Sequence, residues 1–105
     1  MKLPKTVKVL SKTYTVDVVE PTLGVLAMEG VPSVYGLQRA RNCSILINKM
    51  MHPDQQRDTL IHELLHAYDF DMKIGLSEKQ THRLASCILS MLKDNPKVVE
   101  FLTEK

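Results

Sequence analysis

The chain changes its hydrophobic periodicity at Pro53, and this break constrains the fold more than any other feature. Before it, apolar and β-branched residues come in short runs. Thr6–Leu10 and Tyr14–Val18 are rich in Val, Thr and Tyr and are separated by Ser11-Lys12, the pattern of a hairpin. Glu20 to Ser33 is interrupted by Pro21, Gly24, Gly30 and Pro32, leaving room for one or two helical turns over Thr22–Met28. Val34–Arg39, an Arg41-Asn42 turn and Cys43–Ile47 then predict a second strand pair, with Ser44-Ile45-Leu46-Ile47-Asn48 as the clearest strand.

After Pro53 the spacing becomes helical. Asp54 is the expected N-cap and Gly75 the expected stop, with Leu60, Ile61, Leu64, Leu65, Tyr68 and Met72 on one side. Ser77 and Gln80 form a capping box for a second helix reaching Lys93, striped by Leu84, Ala85, Ile88, Leu89, Met91 and Leu92. Asn95-Pro96 ends that helix, and Pro96–Thr103 predicts a short third one. The expected architecture is a single α+β domain over residues 1–105. A small, mostly antiparallel sheet from the N-terminal half packs on the long helix and on a second, C-terminal helix.

Composition narrows the function classes. The 14 Lys and Arg are nearly matched by 12 Asp and Glu, for a net charge of +2. They form no basic stripe, so a nucleic-acid partner is not expected. No apolar run approaches the roughly 20 residues of a membrane span, and Met1–Leu10 lacks the apolar core of a signal peptide. Cys43 and Cys87 have no CxxC spacing and read as reduced, small buried residues of a cytoplasmic protein. The six Met residues, Met50, Met51 and Met91 among them, read as adaptable core filler.

The segment that carries chemistry is Thr59-Leu60-Ile61-His62-Glu63-Leu64-Leu65-His66-Ala67-Tyr68-Asp69. Four residues apart on a helix, His62 and His66 point the same way, one turn from each other, and can share one Zn²⁺. Glu63 projects beside such a metal, where it can take a proton from the attacking water and later return it to a leaving amine. In the helical projection the histidines share their flank with Gln55, Thr59 and Asp69, opposite the apolar stripe. A solvated face would carry Lys, Glu and Arg there. Three fixed residues at this spacing recur by accident in roughly one chain of this size in several hundred.

A catalytic zinc needs a third protein ligand, and several residues qualify. Glu78 opens the second helix at the edge of its apolar stripe, and His82 stands one turn further on the same side. Asp69, one turn beyond His66, can ligate or can hold a ligand imidazole by its free N–H. His52 precedes the helix and is most simply a surface residue.

With these residues in view, the chain resembles the small phage and bacterial zincin-type metallopeptidases. These are grouped loosely with the ImmA/IrrE and SprT-like proteins and are similar to stripped-down gluzincins. The likeness runs over roughly residues 34–96, in HELLHAYD, in Gly75-Leu76-Ser77-Glu78, and in the helix that ends at Asp94-Asn95-Pro96. It implies a zinc-dependent peptidase with His62, His66 and Glu78 as ligands and Glu63 as general base. It also implies a peptide or protein substrate and, for a phage-encoded protein, the cytoplasm of a bacterial host. Thermolysin-like members carry an Asp four residues after the ligand Glu. Here that position is His82, which the SprT-like pattern would use as the third ligand. The resemblance makes Ser44, Ile45, Leu46, Ile47 and Asn48 an edge strand that binds substrate by β-addition. The same residues also read as an internal strand carrying Ile45 and Ile47 into the core. Tyr35 and Tyr68 are candidate oxyanion donors, although Tyr68 projects with the apolar stripe. The alternative to a peptidase is a zinc-binding domain of the same fold, regulatory or structural, without significant protease activity.

Overall fold

The computed structural model describes residues 3–19, 36–39 and 43–105. The expected turns over Thr22–Met28, the Arg41-Asn42 turn and Tyr35 lie outside these residues. The Val- and Thr-rich start folds as β1 (Thr6–Val9) and β2 (Lys12–Val19), an antiparallel pair in which Val9 faces Lys12. The connecting turn is therefore Leu10-Ser11, one residue earlier than Ser11-Lys12, and Leu10 bends the chain at φ 58°. β3 (Gly36–Arg39) and β4 (Ser44–Asn48) form a second antiparallel pair, and β4 runs parallel to β2.

The sheet order is β1-β2-β4-β3, so two antiparallel ladders flank a central parallel one. This corrects the expected edge strand. β4, with Ser44, Ile45, Leu46, Ile47 and Asn48, is hydrogen-bonded on both sides. The cause lies in its side chains: Ile45, Leu46 and Ile47 are all buried, although neighbours along a strand point to opposite faces. An unbroken apolar run marks a strand covered on both faces, whereas an edge strand beside water alternates. Among the described residues the outer strands are β1 and β3.

Val9, Tyr14, Val16, Ile45 and Ile47 form the core with Met51 and Ala67. Leu60, Leu64 and Tyr68 of helix α1 (Pro53–Met72) pack against that cluster. Each large apolar side chain taken fully out of water contributes about 1.5–3 kcal/mol. The buried row of α1 is Thr59, Glu63 and Ala67, spaced by four residues. Thr59 is buried in this row, where its hydroxyl donates to the Met51 sulfur at 3.7 Å. Met72, at the end of the expected stripe, is exposed. Of the methionines, Met51 is core, while Met50 and Met91 are exposed. Cys43 is half-buried against the core and Cys87 is exposed, and neither is in a disulfide.

The ends of α1 also differ from expectation. Pro53 occupies the first turn, and the N-cap is His52, whose Nδ1 accepts from the Asp54 N–H at 3.4 Å. Asp54 sits inside the first turn and pairs with Arg57 at 2.6 Å. At the other end, Lys73 takes the left-handed conformation (φ 53°, ψ 49°) and donates its N–H to the Asp69 carbonyl at 2.7 Å. Gly75, two residues on, has φ 85°.

Helix α2 (Glu78–Asp94) starts at the expected capping box: the Ser77 hydroxyl accepts from the Gln80 N–H, and the Gln80 side chain accepts from the Ser77 N–H. It runs antiparallel to α1. Its start meets His62, while Ser86 donates to Asp58 at 3.2 Å and Lys93 lies 3.8 Å from Asp54. Thr81 and Ala85, both fully buried, let the two helices approach closely. Helix α3 (Pro96–Thr103) follows after Asn95. The hairpin is tied to the far end of α1 by Lys12, which pairs with Asp71 at 3.0 Å and lies over the Phe70 ring at 5.8 Å. No helix among the described residues is long and apolar enough to cross a membrane.

The left-handed lysine yields a stability prediction. A side chain in that region costs about 1–2 kcal/mol, which glycine avoids at some cost in unfolded-chain entropy. Lys73→Gly is expected to raise stability by about 0.5–1 kcal/mol, or a few degrees in a thermal melt. A lower melting temperature would contradict this cap geometry.

Candidate metal centre

His62 and His66 are one turn apart on α1, and their rings meet edge-on with centroids 4.7 Å apart. They occupy the seam between the sheet-facing row of Thr59, Glu63 and Ala67 and the side of α1 that Asp58 turns towards α2. Both are largely buried: the side chains are 16% and 26% exposed. Their Nε2 atoms lie 3.0 Å from each other.

Glu78 completes the cluster from across the helix hairpin. One carboxylate oxygen is 2.5 Å from His62 Nε2 and the other is 3.2 Å from His66 Nε2. As the first residue of α2, Glu78 takes its position from the local sequence. The capping box fixes the start of the helix, and Thr81 adds a backbone and a hydroxyl bond to the Ser77 carbonyl, both 2.9 Å. Burial pushes the Glu78 carboxyl up, but the adjacent His66 and His62, by charge and hydrogen bonding, outweigh it and hold the group below its ordinary value. The positive end of α2 favours the same charge state.

Glu63, in the buried row of α1, is only 6% exposed. One carboxylate oxygen and the ring nitrogens of His62 and His66 all lie within 4.8 Å of one another. The structure thus brings together His62, Glu63, His66 and Glu78. His82 reaches the edge of the group: its ring stands 6.3 Å from that of His62, further off than His66, and is exposed. Tyr68 packs against the core cluster.

Asp69 is placed differently from the expected support of a ligand imidazole. Its Oδ1 accepts from the Gly75 N–H at 2.7 Å and the Leu76 N–H at 3.4 Å, and its carbonyl accepts from Lys73. The carboxylate therefore clamps the loop that delivers Glu78. Six residues separate Asp69 from the positive-φ Gly75, and helical projection, which places Asp69 only on its own helix, hides this partnership. His52 as an N-cap was equally hidden, since Ser, Thr, Asp and Asn are the usual cap signals.

The donor set can be tested against a metal. Ligand atoms around a tetrahedral zinc with bonds of about 2.0–2.1 Å stand about 3.3 Å apart. The Nε2–Nε2 separation of 3.0 Å is close to that spacing, whereas Glu78 makes its two contacts through different oxygens, Oε1 at 2.5 Å from His62, well inside it, and Oε2 at 3.2 Å from His66. Hydrogen bonds between the three side chains are the other reading, with donor and acceptor set by the histidine tautomers. If each imidazole donates its Nε2–H to Glu78, the two N–H groups oppose each other across 3.0 Å. In other tautomers one imidazole donates to the other or to Glu78, and a cation could also sit among these groups.

No protein-family model matches the chain, and no match was found among known proteins or solved structures.

The Asp69 clamp predicts an effect that needs no metal. In chelator-treated protein, Asp69→Ala is expected to lower the unfolding free energy by about 1–2 kcal/mol, because it strips partners from the loop N–H groups. Unchanged stability in urea titration would contradict the clamp.

Proposed function

We propose that this protein is a zinc-dependent metallopeptidase, hydrolysing peptide bonds with Glu63 as general base. The observation that carries the reading is the meeting of His62 Nε2, His66 Nε2 and the Glu78 carboxylate at 2.5–3.2 Å, with the buried Glu63 carboxylate beside them. His62, His66 and Glu78 would hold the ion, the set that the likeness to gluzincin-type peptidases implies. Bound there, zinc supplies Lewis acidity, acidifying water and polarising a carbonyl.

The protein's own groups account for the rest. His62 and His66 are fixed one turn apart on a helix held against the sheet, so they need no rearrangement to present both nitrogens. Glu63 is adjacent in sequence to a ligand and anchored in the same packed row as Ala67. It accepts the proton of the attacking water and delivers it to the amine of the departing product. Its burial excludes competing solvent from the proton's path. Glu78 stays ionised beside the imidazoles, which suits a ligand and leaves Glu63 as the proton carrier. The extended substrate would pair with β3, since β4 has no open edge. β3 lies against α1, and its outer side has no strand partner among the described residues.

The expected result is one equivalent of zinc per chain, measured by competition with a chromophoric chelator. The ion is lost in His62→Ala/His66→Ala and is weakened far more by Glu78→Ala than by His82→Ala. Glu63→Gln should keep the metal while cleavage of casein falls by about 10²–10⁴-fold. Protein that takes up no zinc would overturn the reading. Zinc uptake without cleavage of any peptide library would leave a zinc-binding domain and remove the peptidase.

A further inference from the structure

The segment from Ser77 to Lys105 buries very little. Only Thr81 and Ala85 are buried in it, Ile88, Leu89 and Val99 are half-buried, and α3 has no buried residue. The seam between α2 and α1 therefore rests on two small side chains, while Leu84, Met91 and Leu92 remain 41%, 42% and 39% exposed. Helix α1 is held differently: Ala67 lies in the core cluster, and Leu60, Leu64 and Tyr68 pack against it. Most helical stability in proteins comes from packing a face, so α2 is the weakly held helix of the pair.

Polar contacts along the seam add little. Lys93 lies 3.8 Å from Asp54, and both side chains are more than half exposed; Ser86 donates to Asp58 at 3.2 Å, also at the surface. Exposed pairs of this kind are screened by solvent and cost side-chain freedom. Glu78 stands apart, because its carboxylate meets both His62 and His66. An ion held there takes two ligands from the well-packed helix and one from the weakly packed one.

We infer, resting on the zinc site proposed above, that zinc uptake latches α2 and α3 onto α1 through Glu78. Without the ion, this unit opens away from α1 while the sheet and α1 stay folded. The Asp69 clamp sets the boundary: its carboxylate holds the Gly75 and Leu76 N–H groups to the end of α1, so the opening begins after Leu76. Opening withdraws one of three ligands and dismantles the site, which makes metal supply the control on its assembly. The coupling is reciprocal. The factor by which zinc suppresses the opening equals the factor by which zinc affinity falls when Glu78 is withdrawn.

Amide hydrogen exchange of the full chain, with chelator and with saturating zinc, tests this. In chelator, α2 amides should exchange about tenfold or more faster than those of residues 60–67 in α1. Zinc should slow the α2 amides by about tenfold or more, matching the loss of zinc affinity measured for Glu78→Ala. In Glu78→Ala at saturating zinc, that slowing should disappear. Equal exchange of α1 and α2 in chelator overturns the latch, as does bound zinc that leaves α2 exchange unchanged; in the latter case the zinc site itself stands. Protein that takes up no zinc fails at the site and takes the latch with it.

Discussion

His62 and His66 bring their Nε2 atoms to 3.0 Å, and each also touches an oxygen of Glu78. The two imidazoles are largely buried and costly unless partnered, whereas the Glu78 side chain that meets them is 72% exposed. The histidines have little freedom to separate, since they stand on one helix a turn apart and that helix is pinned to the core through Leu60, Leu64 and Ala67. Relief has to come from the other helix, and the local structure around Glu78 is arranged to provide it. The Ser77–Gln80 capping box, the two Thr81 bonds to Ser77 and the Asp69 clamp on Gly75 converge on the position of one carboxylate. Such supporting bonds set how tightly a site is held, because a ligand on a loose loop adds ordering cost to every binding event.

The sheet serves this arrangement at one remove. β4 in the centre supplies Ile45 and Ile47 to the core beneath α1, and the Lys12–Asp71 pair ties the β1–β2 hairpin to the far end of that helix. Glu63 connects the two halves, lying in the buried row of α1 while its carboxylate comes within reach of both histidines. A buried carboxylate is costly unless partners satisfy it, and this one lies within 4.8 Å of a ring nitrogen of each histidine.

Much of this was legible in the sequence because it rests on local periodicity. The i, i+4 histidines, the Ser77–Gln80 box, α2 and α3 follow from 3.6-residue spacing and cap chemistry, which neighbours in the chain dictate. What was not legible depends on partners distant in sequence. Whether Ser44–Asn48 lies at an edge or in the middle is decided by β2 and β3 pairing on its two sides, although the unbroken Ile45-Leu46-Ile47 run held the clue. Periodicity puts Asp69 on α1 but hides its partners, since Gly75 and Leu76 return to it only once the loop turns through Lys73 and Gly75. Glu78 and His82 share one side of α2, and no projection of that helix says which of them meets α1. The antiparallel packing through Thr81 and Ala85 brings Glu78 onto both imidazoles and leaves His82 at the rim.

The proposed zinc site consists of His62, His66 and Glu78. Anomalous diffraction at the zinc edge, from crystals grown with zinc, addresses it most directly. The expected map has a single strong peak about 2.0–2.2 Å from His62 Nε2, His66 Nε2 and a Glu78 oxygen, with Glu63 adjacent but not bonded to the metal. A map with no peak between the two histidines, or a metal held by His82 with Glu78 turned away, would contradict it.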